Sequence, residues 1–489
     1  MNSLLAPRTG FSLTLIAAAT ALVLAGCGGG GSSSPQATAA APVPVLLGTA
    51  TTSGTVTGFG SVIVDGVRLD DHNVVAGVEQ EDGSVVNTEL KIGQHVDVEH
   101  DANLVATQIR VTAEIKGSVD SVSTTAGSIT ILGQTVMINT VAANGPLTVF
   151  EAPYTQLGDI KAGDTVEING LVKVDATGKA TLQATRIEKA QVGAYNRVRG
   201  DVTDLSTATS TFKVGTLLVS YAGATVKPNA AALANGVDVV VSIPTTQTFT
   251  GPAVNGAVVK VKNHHEENQD KDGKLGGPIT KFDASAKTFT VDGVKVDASK
   301  AVFEQSGRTL ADLSEGVYVR VKGTYQSDGT LLATTIVIRS LERESGREVE
   351  VHGSIVNFTS NTDFMLRDLH IDASNAKISC PASTVLANNL QVEVEGHLTS
   401  TGKVVAAEVK CETAQDGQSI VERVGVAATV DTTAKTFALG NAPNLLKVQW
   451  SANTLFVNVD AASLAGKNVE VQGTLNAGVL SATKVKLQN

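Results

Sequence analysis

The chain has 489 residues, which is too long for one ordinary hydrophobic core, so several domains are expected. With 42% hydrophobic and 18% charged residues it has the composition of a folded protein, and its 47 glycines among many β-branched residues favour strands and tight turns over helices. The net charge of −10 offers no basic surface for neutralising phosphates, so nucleic acid is not an expected partner.

Residues 1–27 form a processing signal and are set aside from the fold. An apolar run over 11–24 ends in the letters LAGC. This ending resembles the lipobox of bacterial lipoproteins, in which the signal is cut before a cysteine that is then lipidated. The resemblance implies a lipid anchor on Cys27. Because Gly28 replaces the aspartate typical of inner-membrane retention, it also implies the outer membrane of a Gram-negative bacterium, on the periplasmic side or the cell surface. A plain secretory signal with a chance cysteine is the alternative.

Residues 28–50 form a flexible Gly/Ser/Ala/Pro tether, and a repeating pattern begins after it. The pattern is a leucine, a glycine, alternating valines and a closing glycine, as in "LSEGVYVRVKG" from Leu313. The closing glycines Gly323, Gly396 and Gly473 are 73 and 77 residues apart. We therefore divide the chain into six repeats: repeat 1 (51–112), repeat 2 (113–192), repeat 3 (193–266), repeat 4 (267–343), repeat 5 (344–415) and repeat 6 (416–489).

Each repeat is predicted to contain a strand, a β-hairpin, a short helix or turn, and a second hairpin. Alternating apolar residues on both sides of Asp65-Gly66 and Asp292-Gly293 are the strongest hairpin signals. Five strands in this order resemble an OB-type barrel. The predicted fold is therefore all-β, a tandem array of about six small five-stranded OB-like β-barrel modules. A run of open β-sandwich-like modules is the alternative.

The lipobox, the stretch "GTVTGFGSVIVDGVRLD" (54–70) and the tandem repeats together resemble a family of bacterial lipoproteins whose repeat is known only as a domain of unknown function. The resemblance covers about residues 51–489, and repeats 3 and 6 depart most from the pattern. Since that family has no settled activity, the resemblance implies a fold and no function.

Three glycines near the start of repeat 1, Gly54, Gly58 and Gly60, raise the question of a phosphate-binding loop. Such a loop needs a helix N-terminus and a lysine after the glycines, whereas a strand and a hairpin turn follow here. We expect Gly58 and Gly60 to form a bulge or corner where the strand bends.

Two cysteines of repeat 5, Cys380 and Cys411, fall near the predicted third strand and at the end of the fifth, which are neighbours in an OB-type barrel. An exported location permits oxidation, so a disulfide is predicted. Two buried free thiols or a metal-binding pair are the alternatives.

The polar segment between repeats 3 and 4 resembles part of a calcium-binding loop. Asn268, Asp270 and Asp272 have the spacing of its oxygen ligands, and Gly273 lies where the loop turns sharply. Ile279 stands where the bidentate glutamate should be. We interpret the segment as a solvated connector, with a weak Ca²⁺ site, or a transition-metal site at its two adjacent histidines, as alternatives.

No catalytic motif such as G-x-S-x-G or H-E-x-x-H occurs, and the eight histidines are scattered. The leading hypothesis is a non-enzymatic, lipid-anchored envelope protein without a cofactor, displaying its modules for adhesion, scaffolding or interaction with an envelope protein or polysaccharide. A binding module for a soluble glycan or metal ion is the second hypothesis, and an envelope enzyme the third. Aromatic platforms for a glycan are few: Tyr154, Tyr195, Tyr221, Tyr318, Tyr325 and Trp450.

Overall fold

The computed structural model describes residues 50–487 apart from 81, 83, 142–143, 175–179, 248–252, 263–271, 341–345, 368, 383, 389, 413–420, 441–444 and 477. The predicted signal peptide with Cys27, nearly all of the tether, and two of the proposed calcium ligands, Asn268 and Asp270, lie outside the described residues.

The described residues of the first three repeats form twenty strands. Repeat 1 holds β1 (Ala50–Phe59), β2 (Val62–Val64), β3 (Val67–Leu69), β4 (Ala76–Glu79), β5 (Val85–Asn87), β6 (His95–His100) and β7 (Ala106–Val111). Repeat 2 holds β8 (Ile115–Ser123), β9 (Ser128–Ile131), β10 (Gln134–Ile138), β11 (Val149–Phe150), β12 (Thr165–Val174) and β13 (Ala180–Lys189). Repeat 3 holds β14 (Tyr195–Ser206), β15 (Thr211–Val214), β16 (Leu217–Ser220), β17 (Thr225–Lys227), β18 (Asp238–Pro244), β19 (Val254–Asn255) and β20 (Val258–Val261).

The last three repeats follow the same order. Repeat 4 holds β21 (Asp272–Pro278), β22 (Thr280–Asp283), β23 (Thr288–Val291), β24 (Val294–Asp297), β25 (Val302–Phe303), β26 (Tyr318–Tyr325) and β27 (Leu331–Ile338). Repeat 5 holds β28 (Val349–Ser360), β29 (Asp363–Leu366), β30 (Leu369–Asp372), β31 (Lys377–Ser379), β32 (Gln391–Leu398) and β33 (Val404–Cys411). Repeat 6 holds β34 (Val421–Asp431), β35 (Thr436–Leu439), β36 (Leu446–Val457), β37 (Asn468–Asn476) and β38 (Val479–Leu487).

The predicted helical turn is present in repeats 2, 3 and 4 as three-residue 3-10 helices at Leu157–Asp159, Ala230–Ala232 and Leu310–Asp312. In repeat 4 the Thr309 hydroxyl accepts a bond from the Ala311 N–H at 3.3 Å, which caps a backbone donor that the short helix leaves unpaired.

The two hairpins predicted from Asp-Gly dipeptides are confirmed. Asp65 and Gly66 have φ angles of 46° and 75°, and Asp292 and Gly293 have 50° and 75°. Two successive positive φ angles define the type I′ turn, which Asp-Gly favours because both residues tolerate the left-handed conformation.

The prediction of an array of separate OB-like barrels is wrong, although the fold is all-β. The repeats stack as coils in a β-solenoid arrangement that shares its sheets between repeats. Repeats 1, 4 and 5 join in one 20-stranded sheet, and repeats 2 and 3 join in a 13-stranded sheet. Among the described strands, β34 to β38 pair only with one another, in a closed ring.

Backbone pairing between repeats explains this difference. Strand β1 pairs in parallel with β21, with Ala50 opposite Asp272, and with β28, with Gly58 opposite Glu350. Repeats 2 and 3 also share one hydrophobic core of buried Val, Ile and Leu side chains. A repeat length of about 75 residues predicts the strands inside one unit, but it carries no information about pairing between units.

Repeat 1 contacts each of the other five repeats. Gly93 O accepts from Thr185 Oγ1 of repeat 2 at 2.6 Å, and Glu79 O accepts from Arg197 Nη2 of repeat 3 at 3.2 Å. Asp65 Oδ1 accepts from Tyr318 Oη of repeat 4 at 2.7 Å, and β1 pairs with β28 of repeat 5. Asp71 Oδ2 lies 3.1 Å from Lys484 Nζ of repeat 6. In a simple solenoid a repeat touches only its neighbours in sequence. Here repeat 1 is the common neighbour of all the others.

Within the described residues, no helix is long and apolar enough to cross a membrane.

Candidate functional site

Charged and polar side chains from repeats 1 to 4 meet at one position, which we call the central cluster: Ser53, Asp65, His95 and Asp97 of repeat 1, Glu114 of repeat 2, Arg199, Asp238 and Lys262 of repeat 3, and Asp292 and Tyr318 of repeat 4. Two of its members, Asp65 and Asp292, are the turn residues of the two Asp-Gly hairpins. A turn aspartate is normally exposed, but here both turns point into neighbouring repeats.

Arg199 joins three carboxylates of the central cluster. Its Nε lies 2.8 Å from Asp238 Oδ2, its Nη1 3.1 Å from Glu114 Oε1, and its Nη2 3.1 Å from Asp292 Oδ1. Burial alone would lower the pKa of Arg199, but the three carboxylates raise it well above its usual value. The guanidinium is therefore held charged, and it links repeats 2, 3 and 4 by charge-assisted bonds.

His95 occupies the other side of Asp292. Its Nε2 lies 3.2 Å from Asp292 Oδ2, and Ser53 Oγ lies between two carboxylates, 2.5 Å from Asp97 Oδ1 and 2.8 Å from Asp292 Oδ2. Burial alone would lower the pKa of His95, but the Asp292 carboxylate outweighs it and raises the pKa to about 8. His95 is thus an imidazolium at neutral pH.

Asp65 is fully enclosed by repeats 1 and 4. Its Oδ1 accepts from the Tyr318 hydroxyl at 2.7 Å and its Oδ2 from the Thr55 N–H at 3.0 Å. Burial raises the pKa of Asp65 even though Arg339 and these bonds favour the charged form. Gly276 makes room for the carboxylate, because a Cβ there would collide with Oδ2.

The central cluster contains one grouping with metal-ligand chemistry. His95, Asp97 and Asp292 each offer a ligand atom within 4.8 Å of the others, and imidazole with carboxylates suits divalent metals. Arg199 already binds Asp292, and Lys262 Nζ lies 3.5 Å from Asp97 Oδ2. Because cations of the chain neutralise these carboxylates, the cluster is an ion-pair network that joins repeats.

A small cavity adjoins Asp65 and is lined also by Thr55, Tyr318 and Arg339. Its volume of about 50 Å³ leaves room for a few water molecules. That is far below the 300 Å³ or more of an ordinary small-molecule site.

A second charged cluster lies within repeat 5 around His352. Its Nδ1 lies 2.5 Å from Glu412 Oε1 and its Nε2 2.5 Å from Glu350 Oε1, while Lys410 Nζ lies 2.8 Å from Glu393 Oε1. Burial alone would lower the pKa of His352, but the two carboxylates raise it to about 9. With a carboxylate at each nitrogen, the ring acts as a doubly donating imidazolium.

Gly58 and Gly60 of the opening stretch lie against this second cluster. The β1–β2 register shifts between Val56 and Gly58, so the predicted bulge is confirmed. Glycine is also required for a reason that the sequence does not reveal. A Cβ on Gly58 would collide with the Glu350 carbonyl, and one on Gly60 with the His352 side chain.

The predicted disulfide between Cys380 and Cys411 is confirmed, with the two Cα atoms 4.8 Å apart. Strands β31 and β33 run parallel with Ser379 opposite Lys410, so the next residue of each strand brings the two cysteines together.

The proposed calcium loop does not form in its described part. Asp272 begins strand β21, and Gly273 is paired with Gly323 in that strand instead of making the sharp turn that the loop needs. The Thr324 hydroxyl donates to Asp272 Oδ1 at 3.3 Å. The acidic residue of repeat 4 that belongs to the central cluster is Asp292, in the hairpin turn.

The aromatic side chains do not assemble into one platform among the described residues. Trp450 packs with Phe437 and Phe456 in the core of repeat 6. Tyr325 is buried in the core of repeat 4, and the Tyr318 hydroxyl donates a hydrogen bond to Asp65.

The members of the central cluster escape notice in the sequence because they lie in unrelated segments. The one usable signal is the shared position of Asp65 and Asp292 in the two best copies of the hairpin. Their burial depends on contacts with partners far away in the chain, such as Tyr318.

Comparisons with known proteins give a family and no activity. The model of a domain of unknown function (DUF5666) matches residues 116–188, 276–337, 337–410 and 424–486, which is more than half of the chain. No curated protein matches it. A solved structure titled "drosophila Unr CSD456" is similar at 13% identity over 44% of this chain and 97% of that one, but its TM-score of 0.13 carries no argument. The chain belongs to the DUF5666 family.

Proposed function

We propose that the protein is a non-enzymatic, lipid-anchored scaffold of the bacterial cell envelope that presents its repeats as one rigid body. The observation that carries this proposal is the position of repeat 1, which contacts all five other repeats through strand pairing and buried polar bonds. A body built in this way keeps fixed distances between its exposed faces, which is what a scaffold requires.

The chemistry of the buried clusters supports the same proposal. Arg199 satisfies three carboxylates, which belong to repeats 2, 3 and 4, so these ionised groups serve to hold repeats together. The cavity beside Asp65 is too small for a substrate. Polar groups committed to one another in this way are poorly placed to act on a bound molecule.

The membrane part of the proposal rests on the LAGC sequence and Cys27. More than one acyl chain on a lipidated cysteine gives stable anchoring. An envelope protein or polysaccharide is the partner that this location favours.

The anchor is tested by metabolic labelling with an alkyne fatty acid in a Gram-negative host. We expect label on the full-length chain and none on Cys27→Ala. The double variant Cys380→Ala/Cys411→Ala retains Cys27 and should remain labelled, which controls for cysteine loss as such. An unlabelled wild-type chain would remove the anchor from the proposal.

The scaffold role is tested by crosslinking in the same cells. Wild-type protein should give discrete crosslinked products with envelope components, and these should disappear in Cys27→Ala because the chain is no longer held at the membrane. If the wild-type chain gives no specific product, the scaffold role is wrong even where the anchor is present.

A further inference from the structure

A pocket lies where repeat 2 passes into repeat 3. Its polar lining comes from β8, the starts of β12 and β14, and the residue after β18: Lys116, Ser118, Thr165, Tyr195, Asn196 and Thr245. Its volume of about 130 Å³ is more than twice that of the cavity beside Asp65. On the order of ten water-sized groups fit in such a space, so the pocket is large enough for one small ring-shaped molecule.

Ser118 and Thr165 supply hydroxyl groups to one side of the pocket. They lie directly opposite each other on β8 and β12. The residues that follow them, Val119 and Val166, are buried in the core shared by repeats 2 and 3, so the two hydroxyl side chains point the other way. Within the described part of the chain, neither hydroxyl bonds to another protein group. Both are therefore available to a ligand.

Tyr195 adds an aromatic ring beside these hydroxyls. Arg197 of β14 lies opposite Lys116 of β8, so Tyr195, two residues earlier on β14, comes beside Ser118. The tyrosine is half-buried, which leaves part of its surface open to the pocket. One ring is enough to cover one face of a small cyclic ligand.

Asn196 is a buried polar residue whose side chain the fold leaves unpaired. It lines the pocket and is only 8% exposed, yet its side-chain amide has no hydrogen-bond partner among the residues that the structure describes. The Thr245 hydroxyl, by contrast, is used within the chain, because it donates to the Gly193 carbonyl at 3.0 Å. Burying an amide without a partner is unfavourable, so a ligand that bonds to Asn196 would remove this cost.

Lys116, the charged residue of the lining, already has a carboxylate of the chain beside it. Glu167 lies directly opposite Lys116 on β12. Burial, the largest influence, and the charge of Glu188 raise the pKa of Glu167, while Lys116 and Arg197 favour its ionised form. The other polar groups of the lining are hydroxyls and an amide. The pocket therefore favours an uncharged, hydroxyl-bearing ligand over an anion.

We propose that this pocket binds a single neutral sugar ring of a polysaccharide. The hydroxyl groups of a sugar both donate and accept hydrogen bonds, as do the Asn196 amide and the Ser118 and Thr165 hydroxyls. The C–H face of the ring packs on the aromatic ring of Tyr195. The volume takes one ring, so the rest of the polysaccharide extends past the exposed Val192 at the rim.

This inference rests on the proposed scaffold role in one respect, since it chooses a polysaccharide as the partner that the scaffold holds. The pocket itself is independent of the lipid anchor. Binding by the purified chain can therefore fail while the anchor and the crosslinked products in cells remain, and the reverse can also occur.

The proposal is tested by saturation-transfer NMR titration of the full chain with the methyl glycosides of glucose, galactose, mannose and N-acetylglucosamine. We expect saturable binding of at least one of them, with a Kd on the order of 1 mM. Binding should be about tenfold weaker in Tyr195→Ala, which loses the ring, and in Asn196→Leu, which loses the amide. Tyr195→Phe keeps the ring and should stay within about threefold of wild type.

Thermal melts separate recognition from a structural role of Asn196. Leucine is close to asparagine in size, and the amide has no protein partner to lose, so Asn196→Leu should melt no lower than wild type. The matched control is Asn255→Leu, which replaces an exposed asparagine of β19 in the same repeat, outside the pocket. It should bind the glycosides as wild type does.

Three results would overturn the proposal. The first is the absence of saturable binding of all four glycosides to the wild-type chain. The second is equal affinity in Tyr195→Ala, Asn196→Leu and Asn255→Leu, because the pocket would then not be the site. The third is tighter binding of methyl glucuronide than of methyl glucoside, which would identify an anionic ligand paired with Lys116.

Discussion

The His352 ring joins Glu350 and Glu412 within repeat 5 only while it is protonated, because each of its nitrogens must donate to a carboxylate. Its folded pKa of about 9 exceeds the usual value of 6.5, so its contribution to stability is fully present below pH 6.5 and is lost as the pH rises through 9. His95, with a pKa raised to about 8, acts in the same direction. Burial also raises the pKa of Glu422, which adds to the loss at alkaline pH.

We therefore predict that the protein is less stable at pH 9.5 than at pH 6, with His352 accounting for on the order of 3 kcal/mol of the difference. Urea denaturation of wild type, His352→Gln and His370→Gln at both pH values measures it. His352→Gln should show a smaller pH dependence, since the titrating ring is gone. His370 is exposed, so its variant should behave like wild type. An unchanged pH dependence in His352→Gln would contradict the assignment.

At the scale of residues, the sequence predicts conformations better than partners. The Asp-Gly dipeptides at 65–66 and 292–293 specify their turns, because the left-handed backbone is a local property. The burial of Asp65 depends on Tyr318, which lies in another repeat.

At the scale of elements, the disulfide links the parallel strands β31 and β33. It lies immediately beyond their last paired residues, Ser379 and Lys410. Strand β31 has only three residues, so few backbone bonds fix it. A covalent link at its end therefore supplies an attachment that so short a strand lacks.

We predict that the double variant Cys380→Ala/Cys411→Ala is less stable by about 3 to 4 kcal/mol, the entropy of closing a loop of this length in the unfolded chain. Chemical denaturation with and without reductant measures the effect. Reductant should destabilise the wild-type protein to the level of the double variant and leave that variant unchanged. Wild-type stability that is insensitive to reductant after complete reduction would contradict the prediction.

The elements were predictable to the extent that their determinants are local. The hairpins, the short helical turns and the bulge near Gly58 follow from turn residues and alternation. The pairing of Gly58 with Glu350 does not, because a strand edge can be covered by any extended segment, and alternation within β1 does not select β28.

At the scale of the whole molecule, the six repeats are not equally connected to one another. Repeats 1, 4 and 5 share one sheet and repeats 2 and 3 share another, whereas the described strands of repeat 6 pair only with one another. Repeat 6 is attached by side-chain contacts, such as Lys484 with Asp71 and Arg367 with Glu422. These described strands close into a ring of their own. Periodicity alone could not indicate that the others would merge.

We predict that repeat 6 unfolds separately from the rest. Trp450, the single tryptophan of the chain, is buried in repeat 6, so its fluorescence follows that repeat while far-UV circular dichroism follows the whole chain. In urea the fluorescence midpoint should fall below that of the main dichroism transition. Asp71→Asn should lower it further, because buried Lys484 loses its counter-charge. Coincident transitions for both proteins would show one cooperative unit instead.

The parallel pairing of β1 also sets an order of assembly. Its partners β21 and β28 begin more than two hundred residues later in the chain, so contacts of very high sequence separation complete the first repeat. Such contacts form slowly, because the chain loses the entropy of closing a long loop before the contacts contribute any stability. During synthesis, the edge of β1 stays open until the fourth and fifth repeats arrive, and a polypeptide in that state is exposed to mispairing with other chains.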